Sequence, residues 1–388
     1  MGHPYGNNSY QQSVICNSFG SGEMEKHRRA GILVAFAIVA ALVFGGCTQS
    51  APASPTSAPA AKSTSAAAAQ PTAAAQTQPS GAKPNIPSVT GAKANIAGAS
   101  SGSATFVKMV QFSQLLNQEL GTEIAVEVSA GNAAAPDLVQ SKQVDFATTY
   151  EGLFADSYPG VGWYDKKPHP DLRAMAYIGL HLIQFYVPAS SSITKIQDLQ
   201  GKRVSLSTAG SGVDSYARRI FEKLGIKPEK IVNMNPADAT DLMKQGQLDA
   251  CGVMGYIHPN IISAASTTAI RAFGIDPSLA AQVNQVLPTL HVYSIPANSY
   301  VGQDKEFQTL GDLEVIFTHK DLPEELVYQM TKTAYKNVEK LGSLEPSVKL
   351  VLSKPEFAKN SPVPMHKGAA RYFKEAGIEL SGAAAPKD

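Results

Sequence analysis

The 388-residue sequence has few cysteines and almost no net charge. It contains three cysteines and one tryptophan, and its 33 Lys and Arg residues nearly balance its 32 Asp and Glu residues. Three scattered cysteines without a C-x-x-C spacing exclude a disulfide framework. A formal net charge of +1 excludes the broad basic surface that is typical of proteins that bind nucleic acid or the membrane surface.

Sequence signatures of common enzymes are also missing. There is no Walker loop, no G-x-S-x-G and no H-E-x-x-H, and the eight histidines do not have the spacing of metal ligands. We therefore expect no cofactor, no metal and no catalytic residues, and we interpret the protein as one that binds a ligand without converting it. An enzyme anchored outside the cytoplasm on a related scaffold is the alternative, and it predicts turnover.

The N-terminal part has the pattern of an export signal. Residues 24–47 combine a basic start, an apolar run from Ile32 to Phe44 and the sequence Gly45-Gly46-Cys47. The pattern predicts a lipoprotein signal peptide with lipidation at Cys47, so that the protein is extracytoplasmic and lipid-anchored to a bacterial membrane. An uncleaved helix is the alternative anchor, although the run is shorter than the roughly 20 residues that span a bilayer.

Low-complexity sequence separates this signal from the rest of the chain. Residues 48–90 are mostly Ala, Ser, Thr, Pro and Gln, and such a segment cannot bury enough apolar surface to offset its ordering entropy. We predict a disordered linker that holds a folded body away from the membrane. Residues 1–23 precede the signal and are interpreted as an extension from a mis-annotated start, because Met24 is the more natural start.

Two cycles of alternating strands and helices follow, which predicts an α/β fold with parallel strands. The first cycle has apolar strands near 94–98, 124–128 and 144–149, with helices near 106–120 and 133–142. The second cycle has strands near 202–207, 231–234 and 248–253, with helices near 213–224 and 238–245. The shared plan predicts two matching lobes.

Two β-rich segments that contain a proline near their end are candidates for crossings between the lobes. One runs from Phe185 to Ser190 and the other from Val292 to Ser299. Because they flank the second cycle, we predict that lobe 2 (189–293) is inserted into lobe 1 (91–188 and 294–388). Two such crossings form a hinge, and a ligand then lies between the lobes.

Loops at the carboxyl ends of the strands are the predicted ligand site, since open α/β sheets bind ligands there. Two Ser/Gly-rich loops precede helices, where backbone N–H groups, hydroxyls and the positive end of a helix dipole suit an anion. Helix capping by the same serines is the structural alternative for either loop alone. The two loops supply Ser100, Ser101, Gly102, Ser103 and Thr105 in the first cycle, and Thr208, Gly210, Ser211 and Gly212 in the second.

Loops after three other strands supply further candidates for ligand binding. These candidates are Gly131 and Asn132, then Thr149, Tyr150 and Glu151, and finally Tyr256 and His258. Glu151 is a candidate partner for an amino group of the ligand, or else an acid at the start of a helix, and His258 either reaches the ligand or has a structural role. Neither Ser/Gly-rich loop contains Lys or Arg, so we expect hydrogen bonds rather than a basic clamp to hold an anion.

Two motifs near the C-terminus are specific enough to suggest a family. They are Ile295-Pro296-x-x-x-Tyr300-x-Gly302-Gln303-Asp304 and His366-x-Gly368-Ala369-x-Arg371-Tyr372-Phe373-x-Glu375-x-Gly377. With these motifs, roughly 93–380 resembles the TAXI-type solute receptors of tripartite ATP-independent periplasmic (TRAP) transporters. The resemblance implies a type II periplasmic-binding-protein fold, in which two lobes joined by two hinge crossovers close on a ligand.

The same resemblance implies partners and a ligand class. The expected ligand is a small carboxylate or amino acid similar to glutamate or 2-oxoglutarate, which a monomeric receptor delivers to the TRAP permease subunits in the membrane. A ligand-sensing domain that reports to a signalling partner is the alternative. No nucleic acid is expected as a partner, and Cys251 in the body is interpreted as a small buried apolar residue.

Overall fold

The computed structural model describes residues 88–99, 103–343 and 345–387, which all belong to a unit spanning Gly81–Asp388. The predicted extension, signal peptide and Cys47, and nearly all of the predicted linker, lie outside the described residues, as do Ser100, Ser101 and Gly102. None of the described helices combines the length and the apolar character needed to cross a membrane.

The described residues alternate between strands and helices, as the sequence predicts. The strands are β1 Lys93–Ala97, β2 Glu123–Glu127, β3 Phe146–Tyr150, β4 Leu172–Pro188, β5 Arg203–Ser205, β6 Lys230–Val232, β7 Ala250–Gly255, β8 Ile270–Phe273, β9 His291–Ile295 and β10 Phe307–His319. The helices are α1 Ala104–Leu120, α2 Ala135–Gln140, α3 Glu151–Ser157, α4 Gly212–Leu224, α5 Pro236–Lys244, α6 Pro259–Thr267, α7 Ala280–Val283, α8 Glu324–Lys336, α9 Val338–Gly342, α10 Pro346–Leu352 and α11 Lys367–Glu375.

Helices α1 and α4 begin and end where local chemistry favours it. Ser103 caps α1 by accepting a hydrogen bond from the Phe106 N–H (3.1 Å), and Ser211 caps α4 in the same way through Asp214 (3.4 Å). Each helix ends at a glycine in the left-handed conformation, Gly121 in α1 and Gly225 in α4. The two helix starts are therefore equivalent.

The strands form one sheet with the order β2-β1-β3-β10-β4-β7-β5-β6, in which β8 also pairs with β4 and β9 with β10. Strands β1, β2 and β3 are parallel to one another, and so are β5, β6 and β7. These two parallel groups are the cores of lobe 1 and lobe 2. Between them, β4 and β10 run antiparallel to each other and to their neighbours.

Strands β4 and β10 connect the lobes, because β10 pairs with β3 of lobe 1, β4 pairs with β7 of lobe 2, and the two strands pair with each other. In β4 the residues up to Leu182 pair with β10, and those from Leu182 onward pair with β7 and β8. In β10 the residues up to Gly311 pair with β9, and those from Glu314 onward pair with β3. Two register shifts interrupt the β4–β10 ladder, after Glu314 and after Ile316.

The prediction that 292–299 forms the second crossing is wrong. Residues 291–295 form β9, which pairs antiparallel with the first half of β10, and β10 itself makes the crossing. Proline at the end of a β-rich segment marks an ordinary strand end here. The first crossing lies in β4, which includes 185–188 of the predicted segment, although the change of partner begins at Leu182.

Two apolar clusters form the core. The larger one includes Phe112 and Phe317 in lobe 1 and continues into lobe 2 through residues such as Met243 and Ile261. The second lies in lobe 2 around α4, where Phe185 stacks on Phe221 with ring centroids 6.2 Å apart. Cys251 is buried and free, in agreement with the prediction that it acts as a small apolar residue.

Candidate ligand-binding site

A cavity of about 180 Å³ lies at the carboxyl ends of both parallel groups of strands. Its walls come from the loops after β1, β2 and β3 in lobe 1 and after β5, β6 and β7 in lobe 2. Nine of the residues proposed from the sequence line it: Ser103, Thr105, Gly131, Asn132, Tyr150, Thr208, Ser211, Gly212 and His258. The structure thus brings described residues of both Ser/Gly-rich loops to the same cavity.

Four other proposed residues do not line the cavity: Thr149, Glu151, Gly210 and Tyr256. The Thr149 hydroxyl donates to the Asn132 carbonyl (2.8 Å), and Glu151 accepts a hydrogen bond from the Tyr177 hydroxyl (2.9 Å) in the interior. Since Glu151 turns away from the cavity, it does not offer a carboxylate to a ligand amino group there.

Sequence reasoning missed several lining residues. They are Ala99, Ala104, His181, Ser207, Val213, Asn235, Pro236, Met254, Pro259 and Asn260. Most of them are neighbours of predicted residues on the same loops. His181 differs, because it lies in the middle of β4 and not in a loop after a strand; its one sequence signal is a histidine within a long apolar run.

The starts of α1 and α4 present backbone donors to the cavity. The first N–H groups of a helix have no partner within the helix, and here the serine caps occupy only those of Phe106 and Asp214. Ala104 and Thr105 in α1, like Gly212 and Val213 in α4, supply first-turn N–H groups and line the cavity. Both serines therefore act as helix caps, which is the alternative considered from the sequence. The N–H groups available to a ligand are those of the residues that follow each serine.

The starts of α5 and α6 also reach the cavity but have few donors to offer. Each has proline at its first position, Pro236 and Pro259, which has no N–H. Asn235 accepts a hydrogen bond from the next N–H of α5 (2.9 Å), and His258 accepts one in α6 (3.2 Å). These helices contribute mainly the positive ends of their dipoles.

The lobes touch each other across the cavity. The Ala133 N–H of lobe 1 donates to the Gly210 carbonyl of lobe 2 (3.3 Å). A Cβ on Gly131, which has φ = 125°, would lie 2.9 Å from that same carbonyl oxygen, and a Cβ on Gly212 would lie 2.1 Å from the ring of Tyr150. Glycine at these positions lets the backbones approach closely.

A buried cluster of charges lies beside the cavity. Lys108 of α1 forms ion pairs with Glu314 of β10 and with Glu345 (2.9 Å to the latter). His181 Nε2 is 2.8 Å from Glu314 Oε2 and 3.3 Å from Lys108 Nζ, and the other oxygen of Glu314 accepts a hydrogen bond from the Thr148 hydroxyl (2.9 Å). The cluster therefore joins both crossing strands to lobe 1.

The pKa values of this cluster reflect a balance between burial and pairing. Burial by itself would lower the pKa of Lys108, but the two carboxylates outweigh it and raise this pKa. Burial would likewise raise the pKa of Glu314, but Lys108 and His181 hold it well below its ordinary value. Lys108 and Glu314 are thus both ionised in the folded protein.

A second buried group of polar side chains lies where β10 crosses between the lobes. One carboxylate oxygen of Asp312 accepts hydrogen bonds from the Gly152 N–H (2.8 Å), the Tyr216 hydroxyl and the Thr289 hydroxyl (3.2 Å). Burial raises the pKa of Asp312 to about 6 and that of nearby Glu151 well above its ordinary value. Asp312 therefore links the start of α3 to α4 of lobe 2.

The described residues contain no group of three or more His, Cys, Asp or Glu side chains that could hold a metal ion. Burial, together with His181, lowers the pKa of His258 to about 4, so this histidine is neutral and accepts the Asn260 N–H as a helix cap.

The described residues have the two-lobed α/β fold of type II periplasmic binding proteins, and the cavity lies between the lobes. The sequence model of the NMT1-like family matches residues 96–377, which is well over half of the chain. The chain belongs to the NMT1-like family.

Solved structures of binding proteins are similar to this chain. MatC from Rhodopseudomonas palustris with bound malate is 13% identical over 74% of this chain and 97% of its own, with a TM-score of 0.50. The periplasmic binding protein BugD is 14% identical over 74% and 99%, with a TM-score of 0.46. SsuA from Xanthomonas axonopodis pv. citri bound to MOPS is 14% identical over 69% and 83%, with a TM-score of 0.40. At such identities the likeness to MatC indicates a shared fold and nothing about the ligand.

Proposed function

We propose that this protein is an extracytoplasmic solute-binding receptor that captures a small carboxylate or amino acid between its lobes. The observation that carries the proposal is the pair of equivalent helix starts, α1 and α4, which come from different lobes and direct first-turn N–H groups into one cavity. Two N–H groups and a helix dipole on each side suit a carboxylate without any basic side chain.

The composition of the cavity supports a small polar ligand. Among the described residues that line it, hydroxyl, amide and imidazole side chains are present, and Lys, Arg, Asp and Glu are absent. A cavity of about 180 Å³ is smaller than the ~300–1,000 Å³ of sites for drug-sized molecules. The contacts of Gly131 and Gly212 across the cavity further favour a ligand that the two lobes enclose.

The sequence alone supports the receptor subfamily, the permease partner and the lipid anchor that we propose. The motifs at 295–304 and 366–377 support a TAXI-type receptor that delivers its ligand to a TRAP permease, and residues 24–47 support export and lipid anchoring at Cys47. We propose that lobe 2 is inserted into lobe 1, with its limits in the middle of β4 and of β10 instead of at 189 and 293. Ser100, Ser101 and Gly102 stay part of the proposed site, because they immediately precede the α1 cap.

Mass spectrometry of small molecules released by denaturing the purified protein tests the proposal first. Thermal shifts with L-glutamate, L-glutamine, 2-oxoglutarate and malate follow, because a ligand that binds only the folded state raises Tm. We expect stoichiometric binding without conversion. Turnover of a bound compound, or no binding by any member of the panel and no released ligand, would refute the receptor.

A matched pair of variants tests the helix start of lobe 2. Asp and Asn both replace Ser well as helix caps, so Ser211→Asp and Ser211→Asn each keep α4 capped. Only Ser211→Asp adds a negative charge to the cavity, and at an effective dielectric near 20 two like charges about 4 Å apart repel by about 4 kcal/mol. We expect calorimetry to show a loss of affinity of more than about tenfold for Ser211→Asp and a small change for Ser211→Asn.

A further inference from the structure

Helix α3 of lobe 1 and helix α4 of lobe 2 contact each other along a line that begins at the cavity. At the inner end of this line Gly212 approaches the ring of Tyr150, and one turn further along α4 the Tyr216 hydroxyl lies 2.6 Å from the position of a Cβ on Gly152. Tyr216 and Leu153 are fully buried and belong to the same apolar cluster. We call this contact between the two helices the seam.

An ion pair lies at the outer end of the seam. Arg219 of α4, three residues beyond Tyr216, pairs through Nη1 with Asp156 of α3 and donates from Nη2 to the Val286 carbonyl of lobe 2. The side chains of Arg219 and Asp156 are 22% and 13% exposed, and neither is among the described residues that line the cavity. A largely buried contact outside the cavity therefore joins the two lobes.

The main chain of lobe 1 holds Asp156 in place. The Val161 N–H donates to the Asp156 carbonyl (2.9 Å), so the chain that follows α3 folds back over this residue. A Cβ on Gly162, which has φ = 56°, would lie 2.3 Å from Asp156 Oδ2, and glycine is what lets the loop pass so close to the carboxylate. The Asp156 carboxylate thus has a fixed position in lobe 1 and a partner that comes from lobe 2.

We propose that Arg219 is a positioning residue for ligand binding, because its ion pair with Asp156 is a latch that holds the two lobes in contact. The inference goes beyond the proposed function and rests on it, since such a latch affects binding only if the lobes close on a ligand. A ligand that needs both lobes binds only the closed form, so its apparent affinity falls in proportion to the closed fraction. Loss of the latch therefore weakens different ligands by the same factor, whereas a change inside the cavity alters the preference among them.

Opening of the seam can be measured without any ligand by hydroxyl-radical footprinting and mass spectrometry. Arg219→Met keeps the apolar part of the side chain and removes the cation. We expect oxidation of Leu153 and Tyr216 to rise by about threefold or more in this variant, because both side chains are buried between the lobes. Phe221, which lies on the same helix and stacks on Phe185 inside lobe 2, should stay protected. Oxidation of Leu153 and Tyr216 at the wild-type level would overturn the latch.

The matched control is Arg203→Met. Arg203 pairs with Asp249 at 2.7 Å, the two side chains are 34% and 29% exposed, and both residues lie in lobe 2. Each variant loses one ion pair of an arginine, so each should lower Tm. Calorimetry should show that Arg219→Met alone weakens binding, by about tenfold for 2-oxoglutarate and for malate alike. If Arg219 were merely structural, its variant would behave like Arg203→Met and leave both affinities unchanged.

Two further variants keep the test decisive if Arg219→Met folds poorly. Arg219→Lys retains a cation that can pair with Asp156, so it should keep most of the affinity and the protection of the seam. Asp156→Asn/Arg219→Met removes both charges and leaves no carboxylate unpaired in the interior. We expect the double variant to open the seam, and protection of Leu153 and Tyr216 as in the wild type would refute the latch.

The outcomes distinguish this inference from the proposed function. If the wild-type protein binds 2-oxoglutarate or malate and Arg219→Met binds it with unchanged affinity, the latch is refuted and the receptor stands. If the wild-type protein binds neither acid, the ligand class of the proposed function fails, and the radical footprints of Leu153 and Tyr216 still decide whether the latch holds the lobes together.

Discussion

Replacement of Lys108 by methionine is expected to destabilise the fold strongly. Methionine keeps most of the apolar length of lysine and removes only the ammonium group, which pairs with Glu314 and Glu345 in the interior. The side chain of Lys108 is 7% exposed and that of Glu314 is fully buried, so little solvent screens the pair. Removing one partner of a buried ion pair typically costs about 3–5 kcal/mol, because a charge is left uncompensated.

The matched control is Lys142→Met. Lys142 pairs with Asp321 at 2.9 Å, the same distance as between Lys108 and Glu345, but the two side chains are 61% and 55% exposed. Pairs at the surface contribute about 0–1 kcal/mol. Urea unfolding followed by circular dichroism should therefore separate the two variants by at least 2 kcal/mol.

The loss of unfolding free energy in Lys108→Met should depend on pH and on the presence of Glu314. The pKa of Glu314 is held low by Lys108, so the stabilisation is present above the pKa of an unfolded glutamate, near 4.3, and is lost as pH falls through the folded pKa. Without Lys108 this folded pKa rises, and the difference between Lys108→Met and the wild type narrows in acid. The double variant Lys108→Met/Glu314→Gln should recover part of the loss. A loss below 1 kcal/mol at neutral pH, or one equal to that of Lys142→Met, would refute this account of the cluster.

Three further predictions concern other parts of the molecule. Burial raises the pKa of Asp312 from 3.8 to about 6, so this carboxyl stabilises the fold below pH 4 and loses that contribution as pH rises through 6. Between pH 4 and pH 7, urea unfolding should show the free energy of unfolding of Asp312→Asn rising by about 2 kcal/mol relative to that of the wild type, and parallel pH profiles would contradict this. Burial also raises the pKa of Cys251 to about 12, so peptide mapping after maleimide treatment should find it unlabelled in native protein and labelled in urea, and rapid native labelling would show that the thiol is accessible. Gly212→Ala should weaken 2-oxoglutarate binding in calorimetry, because the added Cβ would lie 2.1 Å from Tyr150 and 2.8 Å from Met254 Sδ and would push the two lobes apart. Unchanged affinity would mean that ligand binding does not require the close approach of Gly212 to Tyr150.

Much of the fold follows from periodicity. The strands and helices of both cycles were predictable because apolar residues recur every second position in a strand and every 3.6 positions in a helix. The crossing strands were harder to place, because β9 and β10 are both β-rich and only their pairing shows which one joins the lobes. Strand β4 has 17 residues, far more than the usual five or six, which fits a strand that joins the two lobes.

The candidate site was predictable where it depends on helix starts. Ser103 and Ser211 could be found because a cap leaves a local pattern in the sequence. His181 could not be assigned to the cavity from sequence, because its position depends on tertiary contacts with Lys108 and Glu314, which lie 73 and 133 positions away in the sequence. Glu151 was misjudged for the same reason: its hydrogen bond to Tyr177 is a tertiary contact, and the local sequence gives no sign of it.

The caps at Ser103 and Ser211 have a consequence for how such a receptor changes over evolutionary time. Because each serine oxygen is used by its own helix, the donors that face the cavity are peptide N–H groups, and these are present whatever side chain follows the cap, proline excepted. Substitutions around the cavity can therefore alter its shape and selectivity while the proposed means of holding an anion persists. A scaffold of this kind can acquire a new ligand by exchanging a few side chains, without passing through a form that binds nothing.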